Sequence, residues 1–297
     1  MTDSPAPMTL TPAQADSGLL RATASNFELP LRQAGFGLIE HVEVTGSTNA
    51  DLLALPFGQS PGEAAFRWAD HQQAGRGRRG RHWVDRPGQA LTLSMAFERD
   101  TGAEQSAAPL AAFSLVAGLM VAQTLASSGL AGAPLQLKWP NDVLIGGNKV
   151  AGILVELKQR GPLQRIVVGC GINLFAPAVD PAEHAALTPG GLFGVATPAT
   201  GSVGLAIRQK LAVQLATRMI AAHADYFESG LGPYRQSWMA CHAYQDMPVK
   251  LIDGQHLLAE GVCRGIDESG SLLVETSERL QAFVIGEVSA RPVGALS

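Results

Sequence analysis

The chain has 297 residues, 46% of them hydrophobic, and a formal net charge of -4. That length suffices for one large domain and a small one, and the acidic balance excludes a global basic field that would draw it to nucleic acid or an anionic membrane. Its three cysteines, Cys170, Cys241 and Cys263, are far apart, which argues against a disulfide framework or a structural zinc site and suits a reducing, cytoplasmic setting.

Residues 1–16, rich in Pro, Thr, Ala and Ser, predict a disordered tail, without the basic-then-apolar order of a signal peptide. Residues 19–38 predict partial helix, limited by Pro30. This leader, 1–38 in all, is short for a complete winged helix-turn-helix. Residues 39–44 alternate like a strand and run into Thr45-Gly46-Ser47-Thr48-Asn49. Ser47, Thr48 and Asn49 precede the apolar run 50–55, so they are N-cap candidates for a short helix. They also offer hydroxyl, amide and backbone N–H groups to a small polar ligand.

Residues 63–70 predict a strand that leads into Gly75-Arg76-Gly77-Arg78-Arg79-Gly80-Arg81, four arginines and three glycines in seven residues. Unpaired arginines cannot be buried, and glycines raise the entropic cost of any regular element. The stretch predicts a mobile surface loop that orders around an anion, since guanidinium forks match phosphate and carboxylate. A merely solvated loop is the alternative. Trp83, just beyond it, is either core or a stacking face for a base.

Residues 91–97 predict an apolar strand, and 107–128 a buried helix with too many small and polar interruptions for a bilayer span. Strands follow at 135–138, 143–145, 150–157 and 165–172, joined by the turns Gly146-Gly147-Asn148-Lys149 and Gly161-Pro162. Residues 176–201 predict a loop with a short helix, 203–227 an amphipathic helix, and 233–243 another helix. Short strands then recur at 248–252, 259–266, 272–275 and 281–284. The fold class is therefore α+β: a mixed, mostly antiparallel sheet with packed helices over 39–245, and a small β-barrel over 246–297.

Three further motifs carry chemistry. Lys138-Trp139-Pro140-Asn141-Asp142 sets a cation, an amide and a carboxylate around a rigid turn; Asp142 suits a magnesium ion or simply caps backbone N–H groups. Lys149 follows Gly146-Gly147-Asn148 without the glycine spacing or Ser/Thr of a Walker A loop, so it is a solvated turn lysine or a cation aimed along a cleft. Gly169-Cys170-Gly171-Ile172-Asn173 ends a strand with glycines that serve packing or let a flat ligand lie on the backbone.

Together with Lys149-Val150-Ala151-Gly152-Ile153-Leu154-Val155-Glu156 and Gln72-Gln73-Ala74-Gly75-Arg76-Gly77-Arg78-Arg79-Gly80-Arg81, these motifs resemble, in order and spacing, the signature of bacterial biotin–protein ligases. The resemblance runs from about residue 40 to the C-terminus, and Ser47-Thr48-Asn49 resembles the family's biotin-contacting segment. It implies a class II synthetase-like ligase domain with an SH3-like barrel, in a monofunctional form without the DNA-binding domain, hence no DNA partner and no membrane. It implies two steps: the biotin carboxylate attacks the α-phosphate of ATP, with Mg²⁺, giving biotinyl-5′-AMP and pyrophosphate. A lysine of the biotin carboxyl carrier protein, the carrier domain of acetyl-CoA carboxylase, then takes biotin as an amide. A glycine-rich lid would keep water from the acyl-adenylate.

By the same resemblance, Lys149, Arg76 and Arg78 are catalytic. Ser47, Thr48, Asn49, Gln72, Arg76, Gly77, Arg78, Lys149 and Gly152 bind biotin. Arg78, Arg81, Trp83, Lys138, Asn141, Asn173 and Arg291 bind ATP, and Asp142 helps to hold the metal. Gly286-Glu287-Val288-Ser289-Ala290-Arg291 resembles the family's terminal Gly-Gly-Glu-Val/Ile-Ser-Leu-Arg, with Ile285 and Ala290 as departures. Strand edges in such a fold allow a homodimer. One rival is a lipoate–protein ligase, which shares fold and acyl-adenylate chemistry; the unbroken Gly-Arg loop with Lys-Trp-Pro-Asn-Asp favours biotin. The other is a nucleic-acid-binding module, against which the acidic net charge counts.

Overall fold

The computed structural model describes residues 25–58, 64–101, 108–178, 187–194, 204–253, 256–285 and 288–293. The tail expected over 1–16 lies outside them. In chain order the first body comprises α1 (Ser25–Ala34), β1 (Phe36–Thr45), α2 (Thr48–Ala54), β2 (Ala64–Gln72), β3 (Ala90–Asp100), α3 (Phe113–Ser128), β4 (Leu135–Lys138), β5 (Asp142–Ile145), β6 (Asn148–Arg160), β7 (Leu163–Asn173), α4 (Leu205–Ser229) and α5 (Gly232–Ala240). Its seven strands lie in the order β1-β2-β3-β7-β6-β5-β4. Every neighbouring pair is antiparallel except β1 and β2, a parallel pair that needs a crossover, and α2 lies in it.

Alternation along the strands builds the core. On β7, Ile166, Val168, Cys170 and Ile172 are buried and belong to the main cluster with Leu91, Leu93, Met95 and Phe97 of β3. α3 covers this cluster. Twelve of its sixteen residues are buried, Thr124 and Ser114 among them, so its length and apolarity serve a core helix. The β5–β6 hairpin turns on Gly146 and Gly147, both at positive φ (56° and 79°). A two-residue turn with two left-handed positions matches strand twist and favours glycine.

The structure corrects the reading of the leader. α1 runs straight through Pro30. Phe27 and Leu31 sit in the main core, with the Phe27 ring 5.7 Å from both Phe66 and Trp68. Proline inside a helix costs about 3 kcal/mol, while burying two large apolar side chains contributes about 3–6 kcal/mol, so packing wins. From residue 25 the leader is part of the sheet body, and β1 starts at Phe36 rather than 39.

The second sheet consists of β8 (Pro248–Asp253), β9 (His256–Ile266), β10 (Leu272–Glu275), β11 (Leu280–Phe283) and β12 (Val288–Pro292). Its order is β11-β10-β9-β8-β12, antiparallel throughout. β12 was not anticipated as a strand. It pairs with β8, placing Arg291 opposite Lys250, and Ala290 is buried in the core. The helix expected over 233–243 ends at Ala240. Of the short helix expected within 176–201, residues 176–178 and 187–194 show none, and the rest lies outside the described residues.

The two sheets share one core. Trp139 Nε1 donates to the Gly270 carbonyl at 3.0 Å, and Arg235 Nε to that of Ile266 at 2.9 Å. Gly270 has φ +86°, and a Cβ there would come within 2.9 Å of Ala112 and Leu115, so glycine permits both the turn and the close seating.

Candidate active site

The sheet face opposite α3 carries small residues. Gly152 of β6 pairs with Gly171 of β7, and Gly169 stands two residues earlier on the same face. A Cβ at Gly169 would lie 2.3 Å from Asn49 Oδ1, and one at Gly171 would lie 2.3 Å from the Trp83 indole. The glycines thus let an amide and an aromatic ring rest directly on the backbone.

α2 begins on this floor. Ser47 is the N-cap, its side chain accepting from Ala50 N at 3.4 Å. Thr48 and Asn49 have other partners. Thr48 N donates to Gln72 Oε1 at 2.9 Å, and Thr48 Oγ lies 2.7 Å from Ser94 Oγ. Ser94 Oγ donates to Asn49 Oδ1 at 2.5 Å, and Asn49 Nδ2 donates to Glu156 Oε2 at 2.8 Å. The base of the Arg loop is closed by Asp85, whose buried carboxylate accepts from Gln72 N at 3.2 Å and lies 2.6 Å from His71 Nδ1.

The cationic side of the site comes from the β4–β5–β6 hairpins. Asp142 Oδ2 lies 3.2 Å from Lys138 Nζ, and Asp142 Oδ1 lies 2.5 Å from Lys149 Nζ. Burial alone would raise the Asp142 carboxyl, but the two ammonium groups outweigh it and hold it at about 2. Burial pushes the Lys138 ammonium down from its ordinary value, against the pull of Asp142. Lys149 is fixed through its backbone: its N–H donates to Thr188 O at 2.9 Å, and its carbonyl accepts from Gly190 N at 2.8 Å and from Asn173 Nδ2 at 3.4 Å. Asn141 Nδ2 ties the turn to Ile153 O at 2.8 Å.

The Arg loop is a small antiparallel excursion. Trp83 N donates to Gly75 O at 2.9 Å, and Gly77 N to Arg81 O at 2.7 Å. The arginines spread from it. Arg76 Nη2 is 3.2 Å from Glu156 Oε2, Arg78 Nη1 donates to Asn141 Oδ1 at 3.3 Å, and Arg79 Nη2 reaches Asp253 of β8 at 3.2 Å. Burial, then the neighbouring Arg79, lowers the Arg78 pKa. Every site residue expected from the sequence, including Arg81, Lys138, Asn173 and Arg291, lines one cavity of about 480 Å³, well within the range of small-molecule sites.

Residues 42–173 match the Biotin/lipoate A/B protein ligase family, and residues 247–291 match the Biotin protein ligase C terminal domain. The bifunctional ligase/repressor BirA of Escherichia coli (strain K12) is 36% identical over 262 residues, which cover 88% of this chain and 76% of the relative. The biotin--[acetyl-CoA-carboxylase] ligase of Paracoccus denitrificans is 37% identical over 250 residues, 82% of this chain and 97% of the relative. The chain belongs to the biotin protein ligase family. A biotin protein ligase from Aquifex aeolicus, solved in complex with biotin and ATP, matches the fold with a TM-score of 0.68 at 25% identity, over 86% of this chain and 100% of that one.

In this biotin protein ligase, two chemically distinct sets of residues line the cavity. Ser47, Thr48 and Asn49, all buried, and the half-buried Gln72 give a neutral hydrogen-bonding set, while Arg78, Arg81, Lys138, Lys149 and Arg291 give a cationic one. Trp83 Nε1 and Arg291 Nε are buried donors without a hydrogen-bond partner among the described residues, which fits a polar or anionic ligand. Asp142, expected to help hold the metal, has Oδ2 beside Lys138 Nζ and Oδ1 beside Lys149 Nζ, and this Oδ1 is a buried oxygen with no hydrogen-bond partner among the described residues. Its carboxylate ties the two lysines together. Sequence reasoning missed Ser94 and Asp85. A single serine or aspartate in or near a strand carries no spacing signal, and only the third dimension sets them against Thr48 and Gln72.

Proposed function

We propose that this biotin protein ligase activates biotin with ATP and passes it to a protein lysine. The observation that carries the reading is one cavity lined by both a neutral hydrogen-bonding set of residues and a cationic set. Biotin has a polar ureido head and an anionic carboxylate tail, and ATP brings further negative charge. Bringing two anions together needs fixed cations, and preorganised ones stabilise the charged transition state more than the ground state. Ser47, Thr48, Asn49 and Gln72 would hold the head over Gly152. Arg76, Gly77 and Arg78 would close over the ligand, and Lys149 would meet the reacting carboxylate. A biotin carboxylate oxygen then bonds the α-phosphorus while the bond to pyrophosphate breaks.

Trp83 would stack on adenine, while Asn141, Asn173, Arg81, Lys138 and Arg291 would face the nucleotide. Asp142, beside Lys138 and Lys149, would help to hold magnesium, which prefers carboxylate and phosphate oxygens and would offset the charge of the ATP phosphates. In the second step a lysine amine attacks the acyl carbon of the mixed anhydride, and AMP leaves. The carrier domain of an acetyl-CoA carboxylase is the acceptor that this reading implies. Cys170, Cys241 and Cys263 are free thiols, in keeping with work in the cytoplasm.

Pyrophosphate release from MgATP, measured with biotin, lipoate or no acid, tests the proposal. Biotin-dependent release is the expected result, lipoate-dependent release would assign the alternative acid, and release with neither would sink acid activation.

A further inference from the structure

Arg165 stands on β7 at the end of the sheet away from the cavity. It is 2% exposed. Its guanidinium spends its donors on two targets, the carbonyls at the end of α2 and Glu98 of β3. Nη1 donates to the carbonyls of Leu52, at 3.2 Å, and Leu55; Nη2 donates to that of Pro56 at 2.6 Å. Nε donates to Glu98 Oε1 at 2.9 Å, and Nη2 pairs with the same oxygen. The other Glu98 oxygen accepts from Gly58 N at 3.1 Å, and Lys158 Nζ donates to Leu53 O at 2.7 Å. The Phe57 ring lies under the guanidinium at 4.6 Å.

This arrangement answers a specific need. The last carbonyls of a helix have no partner within it. α2 has only seven residues, too few for a helix to hold itself. Its apolar anchorage is small: Leu52 packs on Ala65, Ala96 and Val167 in a cluster separate from the main core. A buried cation is costly unless paired and fully hydrogen-bonded, and an apolar residue on β7 would serve packing as well. An arginine that bonds the carbonyls of Leu52, Leu55 and Pro56, in and just after the last turn of α2, serves position instead.

We infer that Arg165 is a positioning residue for biotin: by clamping the C-terminal carbonyls of α2 it sets where Ser47, Thr48 and Asn49 stand at the other end of the helix. The inference rests on the reading of that trio as part of the biotin seat. α2 spans roughly 10 Å, so a shift at one end is carried to the other. The residues read as facing ATP stand on the Arg loop, the β4–β5 turn and the near end of β6, while Arg165 meets β6 only at Lys158, near its far end.

The test uses the full chain with Arg165→Met and Arg165→Lys, each checked for native circular dichroism. Biotin affinity is measured by titration calorimetry without ATP, and KM for biotin and for ATP by pyrophosphate release. Arg165→Met should weaken biotin by at least about tenfold, less than the roughly 100-fold in rate that a misplacement near 1 Å can cost, with KM for ATP within about twofold. Arg165→Lys keeps a cation beside Glu98 but cannot reach all three carbonyls, so it should remain several-fold weaker for biotin; it carries the test if Arg165→Met does not fold. Wild-type biotin affinity in a folded variant, or equal losses for biotin and ATP, would overturn the inference. A wild-type chain that binds ATP but not biotin would instead overturn the functional reading beneath it.

Discussion

The two faces of the seven-stranded sheet are cut from the same strands and do opposite things. On β3 and β7 one set of alternate residues is large and apolar, with Met95, Phe97, Ile166 and Val168 buried in the main core. The intervening set is small or polar toward the cavity, with Val167 packing under α2 further along: Ser94 bonds Asn49, while Gly169 and Gly171 admit Asn49 and Trp83 onto the backbone. Period-two alternation therefore does more than separate inside from outside. It gives one face to packing and leaves the other shallow enough to hold a ligand. The difference teaches that stability and activity should separate by face, even between neighbouring residues of one strand.

The largest expected effect lies on the packed face. Met95 is fully buried, and Met95→Ala should cost about 2–5 kcal/mol of stability, read by denaturant unfolding, while the folded fraction keeps its normal turnover per molecule. The mirror experiment is Lys149→Ala on the other face. Removing one preorganised donor should raise the adenylation barrier by about 2.7–4 kcal/mol, read in kcat for pyrophosphate release, with far less change in unfolding. A folded Lys149→Ala variant with near-normal adenylation would deny Lys149 its role. If Met95→Ala also abolished turnover in its folded fraction, the separation by face would not hold.

The packed face should also show in acid. His223 of α4 stacks on Phe97 at 4.2 Å and meets Phe113 edge-on at 5.7 Å. Burial, and then Arg99, pushes its imidazole down from 6.5 to about 4. The unfolded chain therefore binds the proton more readily, so stability is full above pH 6.5 and is lost as the pH falls through 4. The loss amounts to about 3 kcal/mol at most for one such group. His242, pushed down to about 4 mainly by burial, adds to the loss in the same direction. His223→Phe should flatten the stability profile between pH 6.5 and 4 without removing the His242 contribution, and an unchanged slope would show that His223 does not titrate in this window.

Much of the site was legible because its chemistry is local in sequence. The Arg loop, Lys-Trp-Pro-Asn-Asp and the spaced glycines of β7 each place unusual residue types where a strand ends, and the Gly146-Gly147 turn announces the hairpin that carries Lys149. What escaped depends on partners distant along the chain. Asp142 reads as a metal carboxylate or a backbone cap by itself, and only the fold shows that Lys149, seven positions on, comes back onto it beside Lys138. α1 escaped because Pro30 speaks against a helix locally, while the burial of Phe27 and Leu31 speaks for one globally. β12 escaped because a short segment ending in proline has little pattern, and its pairing with β8 decides the matter. Arg165 looked like any polar residue of an alternating strand.

The smallest expected effect concerns the link between the shallow face and the second sheet. Arg79, held at φ +61° at the tip of the Arg loop, reaches Asp253 with side-chain exposures of 26% and 41%. Exposed pairs of this kind contribute about 0.2–1 kcal/mol and weaken in salt. A double-mutant cycle of Arg79→Ala and Asp253→Asn, read in unfolding free energy, should therefore give a coupling below about 1 kcal/mol that shrinks as salt is added. The same cycle read in KM for ATP separates two uses of the contact. If Asp253 only parks an arginine whose real partner is the ligand, Asp253→Asn frees Arg79 and leaves KM for ATP unchanged or lower. If the second sheet holds the loop in its working position, Asp253→Asn raises KM for ATP as Arg79→Ala does, and the two changes together cost no more than one.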